Sequence, residues 1–157
     1  IGKRTREFIR NDQLQPSDKF KPIKCFDVNM NKFDWNSVKG KKFTIIVGGL
    51  GCMTHGMDNS LPKQYFESIK EKYGDSHQLI LYVYCNDSEE MKEEIKVFGL
   101  EDYTVISDFK GGATPFTSIY NCQATPTCIY IDAKGIIVNI MEGLDPNYLE
   151  NEFILKQ

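Results

Sequence analysis

Apolar positions along the chain fall into two patterns, short continuous runs and four-residue periods. Residues 43–47, with two adjacent isoleucines, and residues 79–85 are apolar runs of strand length. That is the pattern of strands covered on both faces. Between them, Leu61, Tyr65, Ile69 and Tyr73 recur every four residues and give a helix one face that packs on a sheet. Ser60 is the expected N-cap of that helix, Pro62 fits its first turn, and Gly74 stops it. Met91, Ile95 and Phe98 mark a second helix, capped by Asp87 or Ser88 and ended by Gly99. Shorter elements complete the pattern: a first strand at residues 25–29, a turn or single helical turn at 33–38 that sets Trp35 on the core, a strand at 104–106 ahead of Asp108, and a short helix at 116–120. Strands at 128–132 and 136–141, joined by a turn at 133–135, read as a hairpin. Asp145-Pro146 opens a C-terminal helix to about residue 155.

Alternating strands and helices argue for a parallel central sheet with right-handed crossovers, and the terminal hairpin adds antiparallel strands. The fold class is therefore α/β, with a central mixed β-sheet flanked by helices on both faces. Residues 1–22 are polar and punctuated by Pro16 and Pro22, so they read as an N-terminal arm outside the core. Residues 23–157 form the domain.

Composition narrows the function classes. The 157 residues are 41% hydrophobic and 26% charged, an ordinary globular mixture. Disorder, collagen and coiled coil are excluded. Nineteen basic residues against twenty-two acidic ones give a net charge of −3, so no electrostatic footprint for nucleic acid is present. No apolar run reaches the roughly 18 residues of a membrane helix. The chain begins with Ile1 rather than Met, so an upstream segment is expected to have been removed; a cleaved signal, a lipid anchor and the boundary of a larger protein all fit. Five cysteines is an odd number, and none lies in a Cys-x-x-Cys pair. Cys25 and Cys85 sit in apolar runs, where cysteine acts as a small hydrophobe.

Cys52 differs from the others by position. It follows a central strand through the glycine corner Gly48, Gly49 and Gly51, where open sheets gather their reactive groups. A helix N-terminus there favours the thiolate, and a protonated His55 three residues on acts in the same direction. The alternative, a loop cysteine beside a solvated histidine, stays open on these residues alone. A second feature lies at Thr125-Pro126-Thr127, a proline just ahead of a buried strand and thus a candidate cis peptide bond.

Taken together, these residues resemble the thioredoxin-like superfamily, specifically the redoxin branch that includes AhpC/TSA and the TlpA/ResA-like extracytoplasmic thiol–disulfide oxidoreductases. Lys39-Gly40-Lys41 resembles the branch's entry into its active-site strand. Ala124-Thr125-Pro126-Thr127, Ile129-Tyr130-Ile131-Asp132 and Lys134-Gly135-Ile136-Ile137 resemble its cis-proline loop and following hairpin, and Gly143 matches the glycine after it. The resemblance covers about two-thirds of the chain and implies the thioredoxin-like fold, with Cys52 as the attacking cysteine and Thr125 and Pro126 as partner-positioning residues. The motif departs from the pattern at Gly51, where the family keeps an aromatic residue, and at His55, where it keeps the second cysteine.

The resemblance then implies a thiol–disulfide oxidoreductase of monothiol or diverged type, acting on protein thiols and disulfides or on small thiols in an extracytoplasmic compartment, periplasmic or lipid-anchored. An external thiol would resolve the mixed disulfide, or Cys122 or Cys128 would, although spacing alone cannot fix such a pairing. The alternative is a non-catalytic thioredoxin-like binding domain. Peroxidase chemistry is disfavoured, because Gly49 stands where peroxiredoxins place a threonine and every arginine lies in the first ten residues. Cys52 and His55 with Cys122 or Cys128 could offer three ligands to zinc or copper. Two ligands at Cys-x-x-His spacing are a weak signal, however, so no metal and no cofactor are expected.

Overall fold

The computed structural model describes residues 13–48 and 60–143. Cys52, His55 and the expected C-terminal helix lie outside the described residues, as does the first part of the arm.

Five strands form one sheet: β1 (Lys42–Val47), β2 (His77–Tyr82), β3 (Thr104–Ile106), β4 (Thr127–Ile131) and β5 (Ile137–Glu142), in the spatial order β3-β2-β1-β4-β5. β1 pairs in parallel with β2, and β2 with β3; β4 runs antiparallel to both β1 and β5. The helices are α1 (Leu61–Tyr73), α2 (Ser88–Phe98) and α3 (Pro115–Ile119), and a 3-10 turn spans Trp35–Val38. The sheet is mixed because β1, β2 and β3, joined through α1 and α2, run in parallel, whereas the chain that passes through α3 enters β4 in the opposite direction and a tight turn then reverses it into β5.

Side-chain alternation divides the core. Phe43, Ile45 and Val47 of β1, Ile80 and Tyr82 of β2 and Ile129 and Ile131 of β4 face one way, onto α3's Phe116 and the segment through Ile23 and Cys25. Ile46, Leu81, Cys128 and Tyr130 face the other way, onto Phe66 and Ile69 of α1 and Met91 and Phe98 of α2. Each fully buried Leu, Ile or Phe here contributes about 1.5–3 kcal/mol. The α1 face is anchored by Phe66 and Ile69, both buried, with Tyr65 half-buried beside them. The four-residue period misses Phe66 because the sheet contact uses a three-residue step.

Several expectations change in detail. The residue 25–29 strand is not formed: Phe26 makes isolated bridges to Lys32 and Ser107, because Asp27 bends the chain by accepting from Asn29 and Asn31 amides. Residues 13–22 are not outside the core. The Leu14 amide donates to Ile119, Ser17 to Ile137 and Phe20 to Gly135. Phe20 stacks among Trp35, Phe43 and Tyr120, so backbone hydrogen bonds and an aromatic side chain together hold this polar segment on the core. Ser60 does not cap α1 with its side chain; it is itself helical, and its hydroxyl accepts from Gln64. Asp87 does cap α2, accepting from the Glu90 amide, and Gly99 ends that helix in the left-handed conformation. β2 begins at His77 rather than Leu79. His77 is buried because its ring pairs with Thr44 of β1 at 2.6 Å.

Candidate functional site

The carboxyl ends of β1, β2 and β3 and the amino end of β4 lie at one end of the sheet, since β4 alone of these four runs the opposite way. The chain leaves β1 at Gly48, whose amide donates to the Tyr82 carbonyl across the strand ends. Directly beside it is the loop before β4, in which the Thr125–Pro126 peptide bond is cis. A Cβ on Gly48 would sit 3.0 Å from the Thr125 Cβ and 3.1 Å from the Pro126 Cα. The approach of these two backbones therefore requires glycine. Thr127 holds the loop from below by donating its hydroxyl to the Ala124 carbonyl at 2.6 Å, and the Gly143 amide donates to the Pro126 carbonyl at 2.8 Å. Thr125 is exposed and Pro126 half-buried, so the loop presents a surface to solvent just where the chain departs toward Cys52.

Next to this junction is a buried polar cluster that sequence reasoning did not single out. Asp108, just past β3, accepts from the Tyr82 hydroxyl at 2.6 Å, the Thr114 hydroxyl at 2.7 Å and the Lys110 amide at 3.1 Å. Thr114 in turn caps α3 by accepting from the Phe116 amide. One carboxylate thus ties together the ends of β2, β3 and α3, and its burial is offset by three donors. Burial and the Asp108 hydrogen bond push the Tyr82 hydroxyl well above the usual tyrosine range. Tyr84 is shifted the same way by burial. The available signal was an isolated acid at the end of an apolar strand followed by Thr-Pro.

The two cysteines named as resolving candidates belong to different faces. Cys122 lies in the core on the α3 side, and Cys128, on β4, in the core on the α1 side. The Cys128 thiol contacts the Gly143 carbonyl at 3.4 Å. Both are buried, 3% and 1% exposed, and burial pushes each thiol up to about 12. Cys25 is likewise held up to about 12 by burial, then by Asp108, and Cys85 up to about 11 by burial. None of these four is a ready thiolate at neutral pH. The structure thus brings Thr125 and Pro126 to the end of β1 and places Cys122 and Cys128 in the cores on different faces of the sheet. Among the described residues, no three His, Cys, Asp or Glu side chains are arranged to hold a metal ion. No helix among them is long and apolar enough to cross a membrane.

No family model matches the sequence, and no curated protein matches it. Solved structures do. A C-terminal domain described as that of a thiol–disulfide oxidoreductase from Bacteroides thetaiotaomicron superposes with a TM-score of 0.71 at 16% identity, over 88% of this chain and 96% of that one. A thiol–disulfide oxidoreductase from Bacteroides fragilis gives 0.67 at 14% identity, over 87% and 95%. The exposed lipoprotein thioredoxin of Streptococcus pneumoniae gives 0.61 at 20%, over 78% and 90%. At these TM-scores the chain shares the fold of these proteins, and that fold is thioredoxin-like.

Proposed function

We propose that the chain is a thiol–disulfide oxidoreductase of the thioredoxin type with Cys52 as its attacking thiol. The observation that carries this reading is the closure of the β1 end onto the cis Thr125–Pro126 loop at Gly48. An exposed backbone loop packed on the end of β1, the strand that precedes Cys52 in sequence, offers a partner disulfide a place to dock, and the other four cysteines are buried. Thiol–disulfide oxidoreductase activity in structures of the same fold supports the same direction.

The chemistry is an exchange. The Cys52 thiolate attacks one sulfur of a partner disulfide; a new Cys52–partner disulfide forms and the second partner sulfur leaves as a thiolate. A second thiolate then attacks the partner's sulfur in the mixed disulfide, taking the partner as a disulfide and returning the Cys52 thiolate. An external thiol, small or protein-borne, fits this second step better than Cys122 or Cys128, because both of those thiols are buried and held near 12. His55, protonated, raises the thiolate fraction of Cys52. Thr125 and Pro126 position the partner backbone. The setting is extracytoplasmic, periplasmic or lipid-anchored, in keeping with the exposed lipoprotein among the similar structures.

The test is the rate of alkylation of each cysteine against pH, read by peptide mass spectrometry on native protein. Cys52 is expected to reach its plateau rate near neutral pH and to slow in the neutral range when His55→Ala is introduced, while Cys25, Cys85, Cys122 and Cys128 react only on unfolding. A Cys52 that titrates like a free thiol near pKa ~8.5, or does not react, would turn the reading to a binding domain without redox cycling.

A further inference from the structure

The end of the sheet opposite the Gly48–Pro126 junction carries a cavity of its own, of about 410 Å³. It lies where β1 begins and β4 ends, so Phe43 lines it, whereas Val47 marks the other end of the same strand. At about 3.4 Å per residue the two ends are ~14 Å apart along β1. The volume falls inside the range of small-molecule sites, about 300–1,000 Å³.

Three rings line the cavity. Phe20 is 5.1 Å from Trp35 and 5.5 Å from Phe43, and Trp35 is 6.4 Å from Phe43, centroid to centroid. Trp35 and Phe20 are only half-buried, so aromatic surface stays open to the cavity. The positions are fixed from three sides: the Trp35 indole N–H donates to the Ile23 carbonyl at 2.8 Å, the Phe20 amide donates to Gly135 at 2.9 Å, and Lys19 bridges to Ile136. A site so held needs little ordering on binding.

Charge completes the description. Lys19, Lys39, Lys41 and Lys134 line the cavity and are exposed. The single acid in the lining, Asp132, is occupied by its own turn, accepting the Lys134 and Ile136 amides at 2.9 Å each. Among the described residues none of the four ammonium groups has an ion pair. In a chain of net charge −3, four cations around an aromatic floor are a local reversal of sign. We propose that this cavity is a binding site for a small organic anion with an apolar ring: the ring lies on Phe20, Trp35 and Phe43 and the carboxylate or sulfonate meets the lysines. Ring stacking and the lysine charges act on different parts of one ligand, so an inorganic anion or a neutral aromatic engages only half of the site.

Trp35 is the only tryptophan of the chain, so its emission reads the cavity directly. The intact protein is titrated with 3-phenylpropanoate, with 3-phenylpropanol and sodium sulfate as the neutral and ring-free controls, while amide resonances of Gly40 and Gly135 are followed by NMR. A saturable shift with the carboxylate is expected, at least about tenfold tighter than with either control and weakened by salt. Exchanging three exposed lysines together (Lys39→Gln, Lys41→Gln, Lys134→Gln) is expected to weaken it about tenfold. Equal binding of the alcohol, unchanged binding by the triple variant, or the absence of any change in both emission and amide shifts would overturn the proposal.

Discussion

Replacing Gly48 by alanine isolates the contact that joins β1 to the loop before β4. Two costs are separable. The new methyl would meet the Thr125 Cβ at 3.0 Å and the Pro126 Cα at 3.1 Å, and one of these partners is backbone that cannot swing aside. Overpacking of this kind costs about 1–3 kcal/mol. The backbone also has φ +155°, a region that L residues rarely adopt, which adds about 1–2 kcal/mol. Gly135→Ala is the internal control: φ is +80°, yet nothing lies within 4 Å of the added methyl, so only the conformational cost, about 1 kcal/mol, applies. Urea unfolding under reducing conditions, followed by Trp35 emission, should therefore show Gly48→Ala losing about 2–5 kcal/mol and Gly135→Ala about 1. The difference between them is mainly the steric part, with at most about 1 kcal/mol from the different backbone conformations. A Gly48→Ala protein no less stable than Gly135→Ala would refute the close approach of the two backbones and, with it, the construction of the candidate site.

Acid should weaken the protein through His77. Burial, then Lys42, lowers its pKa from 6.5 to about 4, so the unfolded chain binds the proton first; stability is full above pH 6.5 and is lost as pH falls toward 4, by up to about 3 kcal/mol. His77→Gln should flatten that part of the pH profile of urea midpoints, and parallel profiles for the two proteins would exclude His77 as the cause. Tyr82→Phe removes one of the donors to Asp108 and should cost about 1–3 kcal/mol in the same unfolding assay. A loss under about 0.5 kcal/mol would mean that the Asp108 cluster tolerates a missing donor without consequence for stability.

Much of the architecture was legible because burial on both faces writes continuous apolar runs. Residues 43–47 and 128–132 were placed within one residue of β1 and β4. What escaped was burial achieved by pairing instead of hydrophobicity. His77 and Thr44 are polar in sequence and meet only across two strands, so the start of β2 read as loop. Phe20 has no periodic neighbours, and its place in the core depends on Trp35 and Tyr120, far along the chain. The opposite error arose at residues 25–29, where apolar content suggested a strand but Asp27 captures the amides that a ladder would use. At the site, Pro126 was marked by its place before a buried strand. Gly48 was visible only as one member of a glycine run, because the reason for it is a neighbour 77 positions away, Thr125. Beyond the local Lys110 amide, the donors to Asp108 come from the end of β2 and the start of α3, and no short sequence spacing ties Tyr82 to the cluster.

The strand order has a bearing on how such a chain can change. Three tight reversals, the corner at Lys39–Lys41, the turn at Gly74–Ser76 and the hairpin at residues 132–135, all lie at the end where β1 begins. Two connections at the other end are longer, from β1 toward α1 and from α3 into β4. Strand register is therefore set by short turns at one end, while segments whose length can vary meet at the other. Insertions and exchanges around Gly48 and Pro126 can reshape what the protein recognises without shifting a single pair in the sheet, and selection can act on recognition and on stability through different residues.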